Sequence, residues 1–297
     1  DGTHNLVVEA EGDVNFNGNV GDDQALASLT IDDSSHTTNN VNFFGSLNTT
    51  GSFTQNAGSG TTVFLDSTIG LNLDVTTNNV IFLLGSSQVS GTVSVDAATS
   101  IEVGGAIETS GSHGIQFDAG QDIGINSHGS LTTDNGNLTL NANVSGTTTG
   151  EFSGIAIDGG SLTTTSGAIT LTGTGGNTGV STGILLSDNA KVESHGAGTI
   201  TLNGFGHGMG NGIEIESSAQ ILSTDGNIQL TGITTGNKGV TLEAGLISTD
   251  GTASVTINGT GGTTGDGHGV NFDSASQIEL SGSGSIDVTG TSTMGSE

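Results

Sequence analysis

The chain has 297 residues, including 53 Gly but no Pro, Cys, Trp or Tyr, and its two basic residues, Lys191 and Lys238, face 30 acidic ones for a net charge of −28. That charge repels nucleic-acid phosphates and anionic lipid surfaces, which excludes nucleic acid as a partner. With hydrophobic residues at 31 % and aromatics at 3 %, a broad core of large side chains cannot form, so a thin Ile/Leu/Val core in an elongated all-β molecule is expected.

Residues 1–110 alternate apolar with polar side chains at loose spacing, which predicts strands at 6–9, 14–16, 29–31, 41–44, 53–55, 62–65, 71–75, 80–84, 93–95 and 101–103 in irregular coils. The longest apolar run, at 80–84, is far short of the roughly 20 residues that cross a bilayer, so no membrane insertion is expected. The chain opens on Asp1 without a charged-then-apolar leader, which reads as a mature product or an excised piece. The lack of cysteine fits export from a bacterium. Residues 111–153 read as one coil that opens on Gly114-Ile115-Gln116-Phe117 and carries an insertion of roughly ten residues near 120–129.

From residue 154 a repeat takes over. Gly154-Ile155-Ala156-Ile157 returns at Gly183, Gly212, Gly239 and Gly269, in steps of 29, 29, 27 and 30 residues. An isolated apolar residue follows in each copy (Leu162, Val192, Ile221, Ile247, Ile278), then an apolar-polar-apolar strand beginning at Ile169, Ile200, Ile228, Val255 and Ile286. One such unit cannot bury both sides of its apolar positions, so units must stack. The spacing predicts a single continuous parallel β-helix, or β-solenoid, over 1–297, with three short strands per coil and five regular coils of about 29 residues in 154–297. About ten coils at the strand separation make a rod roughly 50 Å long. Between the second and third strands, Asp225-Gly226, Asp250-Gly251, Asn135-Gly136 and Ser166-Gly167 predict tight corners with left-handed glycines. The absence of proline agrees, because inner strands of a parallel sheet use every N–H.

The segments Gly12-Asp13-Val14-Asn15-Phe16-Asn17-Gly18-Asn19-Val20, Ala25-Leu26-Ala27-Ser28-Leu29-Thr30-Ile31 and Gly167-Ala168-Ile169-Thr170-Leu171-Thr172-Gly173 resemble the β-strand repeats of bacterial surface proteins related to filamentous haemagglutinin. The resemblance covers most of the chain, and its motifs are degenerate. It implies a right-handed parallel β-helix in an exported, cell-surface or extracellular fibrous protein, often adhesive. That family's proline-containing secretion motif and aromatic-rich C-terminal barrel are not found here, which points to an internal stretch or a separate subunit. The resemblance carries over no catalytic residue.

An acid follows the first strand of each coil in the repeat reading: Asp118, Asp158, Asp188, Glu216, Glu243 and Asp273. Stacked about 4.8 Å apart in water, neighbouring carboxylates repel by roughly 0.9 kcal/mol per pair. Either each side chain caps its corner on backbone N–H groups, or Ca²⁺ sits between successive carboxylates, since hard cations take oxygen ligands. No other cofactor is expected.

The glycine-rich corners at 173–183, 204–212, 232–239 and 259–269 lack the helix and lysine of a phosphate loop and read as flexible corners, with a ligand edge of stacked loops as the alternative. Five histidines that precede glycine (His113, His128, His195, His207, His268) fall at different places in the repeat and read as exposed corner residues rather than a metal site. Thr163 and Thr164 suggest an ice-binding face, but the equivalent residues Glu193, Ser194, Leu222 and Ser223 do not continue it.

A polysaccharide hydrolase needs only two carboxylates at about 5–9.5 Å, which stacked acids supply. The chain has no Trp or Tyr on which a sugar would stack, and only two lysines. The expectation is therefore a non-catalytic structural or adhesive rod, with a host or neighbouring cell surface, or glycans, as partners. Neither end supplies a helix, proline or charge cap, and 291–297 simply stop, so copies stacked end to end in a filament are the second reading.

Overall fold

The computed structural model describes residues 4–32, 38–273 and 275–293. The end residues 294–297, which the sequence reading leaves without a cap, lie outside them. The chain is a parallel β-solenoid of about 11 coils with three strands each. Its strands form three sheets, called faces 1, 2 and 3 in the order Ile155–Asp158, Ser161–Thr164 and Ile169–Thr174 within one coil. Among the described residues face 1 has 11 strands, face 2 has ten, and face 3 has 13, one of which is the short antiparallel Val180–Ser181.

Register is continuous from coil to coil. On face 1, Ile155 lies opposite Ile184, Ile184 opposite Ile213, Ile213 opposite Val240, and Val240 opposite Val270. The predicted second and third columns also hold, as in Leu162 opposite Val192 and Ile169 opposite Ile200. The same inward column of face 1 runs back through Ile123, Ile101, Val80, Thr62 and Val41 to Val14. Thr62 is its one polar member and is fully buried; its hydroxyl donates to Gln55 Oε1 at 2.7 Å. Toward the N-terminus the core is aromatic: Phe16, Phe43, Phe64 and Phe82 stack at centroid distances of 4.8, 5.4 and 5.2 Å. Each such ring removes about 150–250 Å² from water, which offsets the short coils there.

Two expectations change. Coils in the first part are shorter than the predicted 27–30 residues, with only 20 residues between Phe53 and Leu73 and between Leu73 and Val93, and the total of about 11 coils agrees with the expected number of about ten. Ile115–Ala119 is a face-3 strand paired with Val93–Ala97 and Leu138–Ala142, not the face-1 strand of its coil. The segment read as an insertion contains the real face-1 strand, Asp122–Ile125, with Ile123 opposite Ile155. The added residues lie later, at 143–153, where the chain passes from face 3 to face 1. Faces 1 and 3 both read apolar-polar-apolar, so alternation by itself cannot tell them apart.

Face 2 holds a second internal ladder. Nine of its ten described strands, all but Gln277–Leu280, bury one apolar side chain and one hydroxyl each, as in Ile107 with Thr109, Leu131 with Thr133 and Leu162 with Thr164. The hydroxyls of Thr109, Thr133 and Thr164 donate to the carbonyls of His113, Gly136 and Gly167 at 2.7, 2.6 and 2.8 Å, closing the corner to face 3 from inside. Of the four predicted left-handed corner glycines only Gly251 has positive φ, at 64°. The others are needed for close approach: a Cβ on Gly167 would fall on the carbonyl of Gly136 in the coil before.

The glycine-rich corners carry strand, as in Ile200–Gly208 and Ile228–Thr234. Beyond the core, face-3 strands continue into lobes that stack on one another, Phe205 opposite Ile233 and Ile233 opposite Thr260. Each lobe leaves the coil through a neck at which two glycine backbones touch, as at Gly204 and Gly212. A side chain at Gly204 would force the neck open, and one at Gly212 would fall on the backbone of Gly232, Ile233 and Gly239 in the next coil.

Candidate metal centre

Face 1 carries the acids on its outer side, because Ile and Leu at alternate positions turn inward. The predicted six-member column is not intact. Asp118 lies on face 3, opposite Asp96 and Asn141, and accepts hydrogen bonds from Gln116 Nε2 at 2.6 Å and Asn141 Nδ2 at 2.8 Å. Asp158 lies opposite Ser187 rather than Asp188, and the Ser187 hydroxyl donates to it at 3.3 Å. Asp188 is one residue further on, in a corner where it has φ of 51°. Asp273 caps its own corner, accepting from Ser276 Oγ at 2.7 Å and from the N–H groups of Ala275 and Ala244 at 3.0 and 3.1 Å. The Ser276 bond leads the causes that hold its carboxyl below the ordinary range. For Asp273 the capping alternative describes the geometry.

Glu216 and Glu243 do meet, directly opposite one another. A third carboxylate joins them: Glu214, two residues before Glu216 on the same outer side. Oxygen atoms of Glu214, Glu216 and Glu243 all lie within 4.8 Å of one another. The sequence reading missed Glu214 because the equivalent positions, Ala156, Leu185, Thr241 and Asn271, are not acidic and no column forms. Ile213-Glu214-Ile215-Glu216 is the signal that finds it, since residues two apart in a strand share a side.

The fourth corner of this square, opposite Glu214, is Thr241. It is fully buried and its hydroxyl has no hydrogen-bond partner. The lobes frame the cluster. Thr182 Oγ1 donates to Glu214 Oε2 at 3.4 Å, and Lys238 Nζ lies 3.7 Å from both Glu243 Oε1 and Asp266 Oδ2. Burial raises the Glu214 carboxyl above the ordinary range; an Asn211 hydrogen bond opposes this, and the charges of Glu216 and Glu243 add to it. Burial also raises Glu216, with Glu243 and Asp188 contributing. Such a group of oxygens can share a proton or hold a hard cation.

Nearer the N-terminus, Glu102, Asp122, Asn126 and Asp158 line an open recess of about 340 Å³ on face 1, with the Phe152 ring at its side. Burial raises the carboxyls of both Glu102 and Asp122. The five histidines do not converge, and no metal-sized cluster among the described residues contains one. No helix among the described residues is long and apolar enough to cross a membrane. No family model, characterised protein or solved structure matches this chain.

Proposed function

We propose that the chain is a non-catalytic structural and adhesive rod that works outside the cell, at or beyond a bacterial surface. The observation that supports this reading is the unbroken register of all three faces over about 11 coils. Hydrogen bonds parallel to the axis resist bending and stretching, and neighbouring coils bury each other's apolar columns, so the architecture suits carrying load or presenting a surface at a distance. A charge of −28 keeps such rods apart in solution.

Adhesive contact is assigned to the outer sides of the faces, and glycans on a host or neighbouring cell are the ligand class. In the face-1 recess, Glu102, Asp122 and Asn126 offer acceptors for sugar hydroxyls and Phe152 offers an apolar ring. The experiment is a glycan-array and whole-cell binding assay on the intact chain, with release of reducing sugar followed in parallel. Saturable binding without sugar release supports the adhesive reading. Sugar release abolished by Glu102→Gln or Asp122→Asn replaces it with an enzyme, and absence of both binding and release leaves the rod without its adhesive role.

A further inference from the structure

We infer that Glu214, Glu216, Glu243 and the hydroxyl of Thr241 form a site for one Ca²⁺ ion that ties two successive coils together. A Ca²⁺ ligand distance of about 2.3–2.6 Å puts oxygens on opposite sides of the ion about 4.6–5.2 Å apart. The three carboxylates have oxygens within 4.8 Å of one another, so all three can touch one such ion without backbone movement. Mg²⁺ demands a near-ideal octahedron at about 2.0–2.1 Å and gives up its water reluctantly, whereas Ca²⁺ accepts the irregular set of oxygens that one side of a sheet offers. Imidazole and thiolate are absent from the cluster, which removes the softer metals.

Thr241 is the independent observation. Alternation with the buried Val240 and Leu242 puts its side chain on the side of the sheet that carries the glutamates. There it stands opposite Glu214 and two residues before Glu243. Its hydroxyl is shut off from solvent and bonded to nothing in the protein. Buried hydroxyls ordinarily find a partner, and an ion between the glutamates supplies one. Charge points the same way. Three carboxylates face one lysine, Lys238, which is shared with Asp266, while the chain's other lysine, Lys191, pairs with Glu193 at 2.6 Å. A divalent cation balances the remainder. Glu216 stands opposite Glu243 of the next coil, so a shared ion clamps the two coils together.

The experiment is calorimetric titration of the chelator-treated full chain with CaCl₂, alongside melting curves with and without Ca²⁺. One ion per chain and a raised melting temperature are expected, with a weaker response to MgCl₂. Glu214→Gln should weaken Ca²⁺ binding by about a hundredfold, as removal of ligand charge does, and should melt no lower than the parent in chelator. Thr241→Val keeps the shape, and its expected signature is normal melting in chelator with weakened Ca²⁺ binding, which reads the site even if Glu214→Gln fails to fold. Asp118→Asn and Asp158→Asn should leave the titration unchanged. The inference is overturned if Ca²⁺ gives neither heat nor a melting shift, or if binding survives both Glu214→Gln and Thr241→Val.

Discussion

Gly204 and Gly212 touch backbone to backbone at the neck of a lobe, and a Cβ built on Gly204 falls on the carbonyl oxygen of Gly212 and against the Ile213 side chain. The same contact recurs at Gly232 with Gly239 and at Gly259 with Gly269. Because the obstacle is backbone on an inner coil, it cannot swing aside. Gly204→Ala is expected to cost about 1–3 kcal/mol, read as a lowered melting temperature. Gly18→Ala, at an exposed glycine with nothing within 4 Å of its Cβ, is the control and should melt like the parent.

The hydroxyl ladder of face 2 separates two substitutions that look alike in sequence. Thr164 donates to the Gly167 carbonyl, whereas the hydroxyl of Ser194, directly opposite in the next coil, has no partner. Thr164→Val should therefore destabilise by about 1–3 kcal/mol, the cost of leaving a buried acceptor unmet. Ser194→Ala should be neutral or stabilising. Thermal unfolding of the two variants checks this, and equal losses would show that the ladder does not act through its hydrogen bonds.

Five carboxyls sit above their ordinary range mainly through burial: Asp74, Glu102, Asp122, Glu214 and Glu216. An acid whose folded pKa is raised binds its proton more tightly in the folded state, so its contribution favours folding at low pH and is lost as pH rises from the ordinary carboxylate value through the raised one. Asp273 runs the other way but is exposed. In chelator, acidification from pH 7 to just above the ordinary carboxylate pKa of about 4 should raise the melting temperature. Relief of self-repulsion at a net charge of −28 adds to the effect. Melting that falls steadily over that range would contradict it.

The core columns should carry the usual cost of a cavity. Ile213 is fully buried between Ile184 and Val240. Ile213→Ala should lose about 2–5 kcal/mol, measured as a drop in melting temperature. Leu185→Ala, on the outer side of the neighbouring strand and only half-buried, should lose clearly less.

Much of this was written in the chain. Ile155, Ile184 and Ile213 recur at a spacing that only stacked coils explain, and the pairing followed residue for residue. Face 2 of the first coils was not legible: Ser46–Thr49, Asp66–Ile69, Ser86–Val89 and Ala106–Thr109 bury as many hydroxyls as apolar groups, so no hydrophobic alternation marks them. Face identity was not legible at Ile115-Gln116-Phe117 either, which displaced Asp118 from the acidic column.

Composition and periodicity alone determined an elongated, proline-free stack of parallel strands with a negatively charged exterior, because burial by alternation and charge count are properties of the chain itself. Only the tertiary structure decided which acids meet. A side chain's neighbours across a parallel sheet are set by register, and one residue of slip puts Ser187 rather than Asp188 beside Asp158, while exact register brings Glu214, Glu216, Thr241 and Glu243 into one square.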